Sequence, residues 1–293
     1  VEKDNLQKKE GGRMNVTLPD NKLDKKTILV YAIIIFICIA SIFAVVWMQF
    51  FDGEIVEVVG TLKGKSDHDY NNLKAEFNEL LTNDIENYDE KYNGKKESLT
   101  NDIVYTVFEE NDTSGEDYNI QVKIPYINVK SKIVKEYNNE IKSTFIDKVE
   151  SIKKTKNKHS TYSVQYGGYV QDGILSVVIK AEIQEGTKAQ RTIIKTFNYD
   201  LENNSEISFN KLLETKKVSS EYAQERINKE AQIGAKKSED YKSMGYEIYE
   251  RNLEDDMYKV ENIKEYYFHD GTIYVIFAYG NNKYTNETDI AVI

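Results

Sequence analysis

Residues 162–201 read YSVQYGGYVQDGILSVVIKAEIQEGTKAQRTIIKTFNYDL, and their pattern decides the fold class. Val, Ile, Tyr and Thr gather into runs of strand length, and Asp172-Gly173 stands between two of them as the signal of a tight hairpin turn. The first run, 162–170, passes through Gly167-Gly168, which lacks the other residues of a phosphate-binding loop and reads as a bulge or turn. The second, 174–183, is a long strand with Gly186 in the turn after it. The third, 191–201, is a strand that turns at Asn203-Asn204. Strands joined in blocks by short turns predict an antiparallel sheet.

Upstream, Ile103-Val104-Tyr105-Thr106-Val107-Phe108 reads as a strand, followed by a polar turn with Asp112, Ser114 and Gly115. Ile120, Val122 and Ile124 alternate with Gln121 and Lys123, the period of a half-buried strand, which Pro125 ends or bulges. Ile133, Val134, Tyr137, Ile141, Phe145, Val149 and Ile152 then share one helical face, with Ser131 as N-cap. Downstream, Ile207-Ser208-Phe209 leads into a helical turn at Lys211-Leu212-Leu213. Residues 220–237 predict a second helix with Tyr222, Ala223, Ile227 and Ala231 inward, interrupted by Gly234. Tyr266-Tyr267-Phe268, an Asp270-Gly271 turn and Ile273-Tyr274-Val275-Ile276-Phe277 predict a final hairpin whose second strand is covered on both faces. Residues 290–293 add a short last strand. The expectation over residues 99–293 is an exported α+β domain with an antiparallel sheet and two packed helices.

Residues 28–51, ILVYAIIIFICIASIFAVVWMQFF, hold 24 positions without a charge, proline or glycine. At about 1.5 Å per residue that is roughly 36 Å of helix against about 30 Å of hydrocarbon. The sequence therefore predicts a single transmembrane helix over 27–51, with span ends at Ile28 and Phe51. Its length, and the absence of a small-x-small site, argue against a cleaved signal. Lys22, Lys25 and Lys26 precede it, whereas Asp52, Glu54 and Glu57 follow. The positive-inside rule then makes 1–26 a cytoplasmic tail and places the C-terminal domain outside the cell membrane. Ala40 and Ala44, four apart, would let two such helices approach as a homodimer. Residues 52–98 read as a stalk. Leu73, Phe77, Leu80 and Leu81 recur there at helical spacing, which fits either a short amphipathic helix packed on the domain or a partner, or a solvated spacer.

The net charge of −10 argues against nucleic acid, whose binding needs a basic surface. The one cysteine, Cys38, lies in the apolar run, so the remainder has no disulfide framework and no thiolate chemistry. That composition suits the outer face of a Gram-positive cell. His68, His159 and His269 lack zinc-ligand spacing, and no serine sits in a Gly-x-Ser-x-Gly elbow. Glu254-Asp255-Asp256 lacks the alternating oxygens and central glycine of a calcium loop and reads as solvated surface. No catalytic residue, metal site or cofactor is expected. Tyrosine is the unusual abundance, 22 residues against one tryptophan. Tyrosine joins contact area to a hydrogen bond, which suits recognition of sugars or protein surfaces. Tyr246, Tyr249, Tyr258 and Tyr266 are the candidate partner-binding residues, and filling a β-rich core is their competing role.

Several of these stretches resemble a known family. They are the strand ending in Pro125-Tyr126-Ile127, the helix with Tyr137-Asn138-Asn139-Glu140-Ile141, and Gly173-Ile174-Leu175-Ser176-Val177. The most specific is Phe197-Asn198-Tyr199-Asp200-Leu201, followed by Ile207-Ser208-Phe209-Asn210-Lys211-Leu212-Leu213. Together they are similar to the exported domains of the lysozyme-sensing anti-sigma factor (the regulator of sigma V) and to the non-catalytic N-terminal module of peptidoglycan deacetylase C. The resemblance implies the fold. It implies neither activity, because residues 1–26 are too few to hold a sigma factor and no metal-binding catalytic motif is present. The expected function is a membrane-anchored, non-catalytic cell-envelope module that recognises another envelope protein or peptidoglycan, in a setting such as cell division or sporulation. One alternative is an extracytoplasmic sensor like the anti-sigma relatives, cut within residues 83–98. The other is a cell-wall-modifying enzyme, which needs a buried carboxylate.

Overall fold

The structure is a computed structural model and describes residues 67–113, 117–155 and 159–293. Two sheets lie face to face in it. The larger has seven strands: β1 (Ile85–Glu86), β2 (Val104–Asp112), β3 (Tyr118–Ile127), β4 (Ser160–Gln171), β5 (Ile174–Gln184), β6 (Arg191–Asp200) and β7 (Ser205–Glu206). The smaller has three, β8 (Tyr266–His269), β9 (Thr272–Ala278) and β10 (Thr288–Val292), with β9 in the middle. The helices are α1 (Asp67–Glu76), α2 (Lys132–Ile141), α3 (Asp147–Thr155), α4 (Phe209–Thr215) and α5 (Ser220–Ser243).

Strand alternation fixes the layers, because successive side chains leave opposite faces of a sheet. On β5, Leu175, Val177, Ile179, Ala181 and Ile183 join Val134, Ile141, Phe145 and Val149 of the long helix in one core. Val178 points the other way and meets Tyr274, Ile276 and Ala278 of β9 between the sheets. The opposite face of β9, with Ile273, Val275 and Phe277, packs on Ala223, Ile227 and Ala231 of α5. The order is helix, large sheet, small sheet, helix. Strand β9 is thus covered on both faces, as its unbroken apolar run predicts, and all of it is buried.

The long helix explains its own irregularity. Tyr137, Ile141, Phe145 and Val149 are spaced by four, and on a regular helix such a row drifts by about 40° per step. A π-helical turn at Lys142–Ile146 between α2 and α3 takes up this excess and keeps Phe145 and Val149 in the core. Ser131 caps the start by accepting from Ile133 N at 3.2 Å. Both hairpin signals are turns with positive φ at two residues, Asp172 (52°) with Gly173 (79°) and Asp270 (44°) with Gly271 (72°). Pro125 pairs with Thr106 where the β2–β3 register slips, and the bulge leaves Val107 exposed.

The architecture corrects the expected one in several respects. The sheet is mixed, because helix 132–155 returns the chain so that β4 starts parallel to β3, Tyr118 beside Ser160. A second sheet is present, and the described residues of the domain form several helices rather than two. Among the described residues no helix is long and apolar enough to cross a membrane. The span expected over 27–51, with Ile28, Phe51, Ala40 and Ala44, lies outside the described residues, and so do the tail and residues 52–66.

The boundary placed near residue 98 also moves. Residues 67–98 are a strap bound to the domain rather than a spacer. Tyr70, Phe77 and Leu81 are buried between the sheets. Lys74 pairs with Glu230 of α5 at 2.6 Å, and the Arg226 guanidinium lies 3.6 Å over the Tyr70 ring. Strand β1 then adds in parallel to β4, Ile85 beside Gly168. Gly167-Gly168 is therefore neither a turn nor a bulge but a crossing point: a Cβ on Gly167 would overlap the Leu80 carbonyl oxygen, and one on Gly168 would stand 2.8 Å from Ile85 Cδ1. Residues 83–98, the expected cut site, are held at Asn83 N to Tyr166 O (2.7 Å), Asn87 Nδ2 to Val170 O (2.8 Å) and Ser98 N to Asn128 Oδ1 (2.9 Å).

Candidate functional site

Arginine is scarce in this chain: Arg13, Arg191, Arg226 and Arg251 are the only four among 39 basic residues. A planar fork of fixed donors does what lysine cannot, and Arg251 shows why it is retained. Asp289 lies on the face of β10 that carries Ala291 toward α5, where an apolar residue is expected. Arg251 meets it with two hydrogen bonds, Nε to Oδ2 at 3.0 Å and Nη2 to Oδ1 at 3.2 Å. Its Nη1 donates to Glu287 Oε1 at 2.6 Å and to Tyr249 O at 2.7 Å. Tyr279 donates to Asp289 Oδ2 at 2.7 Å, so Tyr258, 2.8 Å away, donates to the Tyr279 oxygen. The guanidinium stands 4.6 Å over the Tyr279 ring, and Tyr249 stacks on that ring at 4.4 Å. Burial disfavours the Arg251 cation, but Asp289 and Glu287 more than offset this and raise its pKa above the ordinary value. Burial pushes Tyr258 up to about 12, and burial together with Asp289 drives Tyr279 further up still. The network pins the 249–251 segment to β10.

Arg251 and Glu287 are also part of the wall of an open cleft of about 1100 Å³. Its rim carries Tyr241, Tyr246 and Tyr284, with Tyr246 63 % and Tyr284 61 % exposed. Tyr241 and Tyr246 meet edge to face at 5.9 Å. Lys188 and Arg191 stand 5.5 and 5.6 Å from the Tyr284 ring centre, and Lys237 stands 5.9 Å from that of Tyr241. Three tyrosines this exposed, beside a rigid floor, form a contact surface with little conformational freedom to lose.

A second cleft, of about 850 Å³, lies along the outer edge of β6. Strand β7 pairs only with Tyr199 and Asp200, so the edge from 191 to 197 has no strand beside it. Other groups close it. Thr192 N donates to Thr285 O at 3.0 Å, Ile194 N to Asn281 Oδ1 at 3.0 Å, and Thr196 N to Glu265 Oε2 at 2.8 Å. Asn281 Nδ2 returns a bond to Ile194 O at 2.9 Å, as a neighbouring strand would. Glu265 is the buried carboxylate that the enzyme reading asks for, and burial raises its pKa. Its oxygens are committed, however, to Thr196 N, Thr196 Oγ1 (3.1 Å) and Lys195 (3.4 Å). Burial pulls the Lys195 ammonium down, but Glu265 and Glu140 more than offset this and raise it.

The tyrosines named from the sequence separate into two groups. Tyr246 and Tyr249 line the first cleft. Tyr258 and Tyr266, 3 % and 6 % exposed, belong to the core between α5 and the small sheet, and the Tyr266 hydroxyl donates to Ile207 O. A buried ring with an occupied hydroxyl presents no surface to a partner, so these two are corrected to core residues. Tyr284 and the Arg251–Asp289 pair are the additions. The rarity of arginine was the available signal for the pair. Tyr284 carried none, since the walls of the cleft that face its own segment come from 33 or more residues away. Of the histidines, His159 is exposed in a turn and His269 stacks on Tyr169 at 4.1 Å, 3.6 Å from Glu86.

No family model and no curated protein matches the chain. Among solved structures, a DUF3298 family protein of Pseudomonas aeruginosa PAO1 is similar at 10% identity and a TM-score of 0.35, over 59% of this chain and 81% of that one. A DUF3298 member from Bacteroides fragilis NCTC 9343 is similar at 12% identity and a TM-score of 0.22, over 42% of this chain and 70% of that one. The likeness is one of low identity to solved structures alone. At these scores it carries no argument about what the chain binds.

Proposed function

We propose that the domain is a non-catalytic recognition module working outside the cytoplasm, and that the tyrosine-rimmed cleft is its contact surface for an envelope component. The observation that carries this reading is the exposure of Tyr241, Tyr246 and Tyr284 around a floor pinned by Arg251, Asp289 and Glu287. Exposed aromatic clusters on a rigid support are features of binding surfaces. Supporting the non-catalytic part, the oxygens of Glu265 are engaged by Thr196 and Lys195 along the β6 edge.

The test is retention of the full chain on protein-free peptidoglycan sacculi, and capture of single proteins from a solubilised envelope extract, each repeated with Tyr246→Ala and Tyr284→Ala. Binding in either arm that both substitutions abolish supports the reading. Binding that neither substitution affects removes the cleft from it, and no binding in either arm overturns it.

A further inference from the structure

The two clefts adjoin. Tyr249 lines both, and beside it the lining passes from Gln190 directly to Arg191 and from Asn282 directly to Lys283. Side by side they offer about 1100 and about 850 Å³. Sites for one small molecule occupy roughly 300–1,000 Å³, so two adjoining clefts of this size offer room for an extended chain.

Three observations narrow the chemistry of that chain. The first is charge. Lys237, Arg251 and Lys283 share the first cleft with Glu247, Glu250 and Glu287, and Arg191, Lys195 and Lys264 share the second with Glu140, Asp255, Asp256 and Glu265. On a chain of net charge −10 this groove has no marked excess of either sign and gives neither an acidic nor a basic polymer an electrostatic advantage. The second is the sheet edge. A peptide binds such an edge by adding a strand, but the N–H groups of Thr192, Ile194 and Thr196 are already taken by Thr285, Asn281 and Glu265. The third is the lining, which combines tyrosines with the amides of Gln190, Asn282 and Asn286. Sugar rings present apolar faces and hydroxyl edges, which these two kinds of group match.

We infer that the groove takes an uncharged glycan chain of several sugar units, with rings stacked on Tyr246 and Tyr284 and the chain passing Tyr249 into the second cleft. This rests on the cleft being the recognition surface and names its ligand. The experiment is calorimetric titration of the full chain with the dimer and the hexamer of N-acetylglucosamine, beside the sacculus and envelope-extract arms. The hexamer binds at least about tenfold more tightly than the dimer, and Tyr246→Ala or Tyr284→Ala weakens it by about tenfold with the melting temperature unchanged. Asn282→Trp, which obstructs the second cleft at an exposed position, weakens the hexamer and leaves the dimer as before. Equal affinity for dimer and hexamer confines the ligand to one cleft and overturns the proposal. Capture of an envelope protein that Tyr246→Ala abolishes, without any binding of sugar or sacculi, overturns the glycan and leaves the recognition surface standing. No binding in any arm overturns both.

Discussion

Gly234 of α5 passes directly over the carboxylate of Asp289 on β10: a Cβ built on Gly234 would overlap Oδ2 and stand 3.0 Å from Cγ. The residue that reads as an interruption of the helix is thus what lets the helix continue to Ser243 across a buried charge. Alanine in place of glycine ordinarily favours a helix by about 1 kcal/mol. Here Gly234→Ala is expected to destabilise by about 1–3 kcal/mol, the range for overpacking, in a chemical denaturation experiment. Unchanged or increased stability would show that α5 can move away from Asp289 without cost.

Arg251 compensates Asp289 and Glu287 together, with its side chain only 3 % exposed. Arg251→Ala leaves both carboxylates uncompensated and is expected to cost about 3–5 kcal/mol. Arg251→Met with Asp289→Leu removes the more buried pair, leaves Glu287 on its bonds from Tyr249 N and Thr285 Oγ1, and recovers part of that loss. Thermal melts of the three proteins decide the matter, and a double variant as damaged as Arg251→Ala would contradict the account.

At Gly167 the strap crosses β4 in contact with the Leu80 carbonyl, and Asn83 closes a two-way bond with Tyr166 beside it. Gly167→Ala is expected to lift residues 80–86 off the sheet. The readout is amide hydrogen exchange, which should rise first at Asn83 and Gly168, ahead of the β5–β6 core. Protection unchanged at those two amides would refute the crossing as the reason for the glycine.

Acid sensitivity should trace to the clamp between α3 and the β5–β6 turn. The Glu185 carboxyl is held below its ordinary value of 4.5 by its hydrogen bond from Lys148 at 2.8 Å, with Lys188 adding to the effect. A depressed carboxylate stabilises the fold above its unfolded value and loses that contribution as pH falls through the folded one. Wild type should therefore exceed Glu185→Gln in stability near neutral pH, and the difference should shrink below about pH 4. A gap independent of pH would assign it to packing alone.

Local pattern carried the elements whose neighbours are close in sequence. The hairpin at Asp172-Gly173, the alternation of Ile120, Val122 and Ile124, and the helical row from Ile133 to Ile152 all stand where periodicity and turn chemistry place them. In each case the residues that decide the conformation lie within a turn or two of one another. The tertiary structure decided everything that depends on distant partners. The parallel pairing of β3 with β4 depends on a crossover about 30 residues long, and β1 finds β4 across more than 80. No short-range period records such pairings. The same limit divided the tyrosines: burial of Tyr258 and Tyr266, and exposure of Tyr246 and Tyr284, follow from where α5 and the small sheet meet. The residue types by themselves determined that this chain could build an aromatic surface, and only the folded arrangement determined which rings remained available for it.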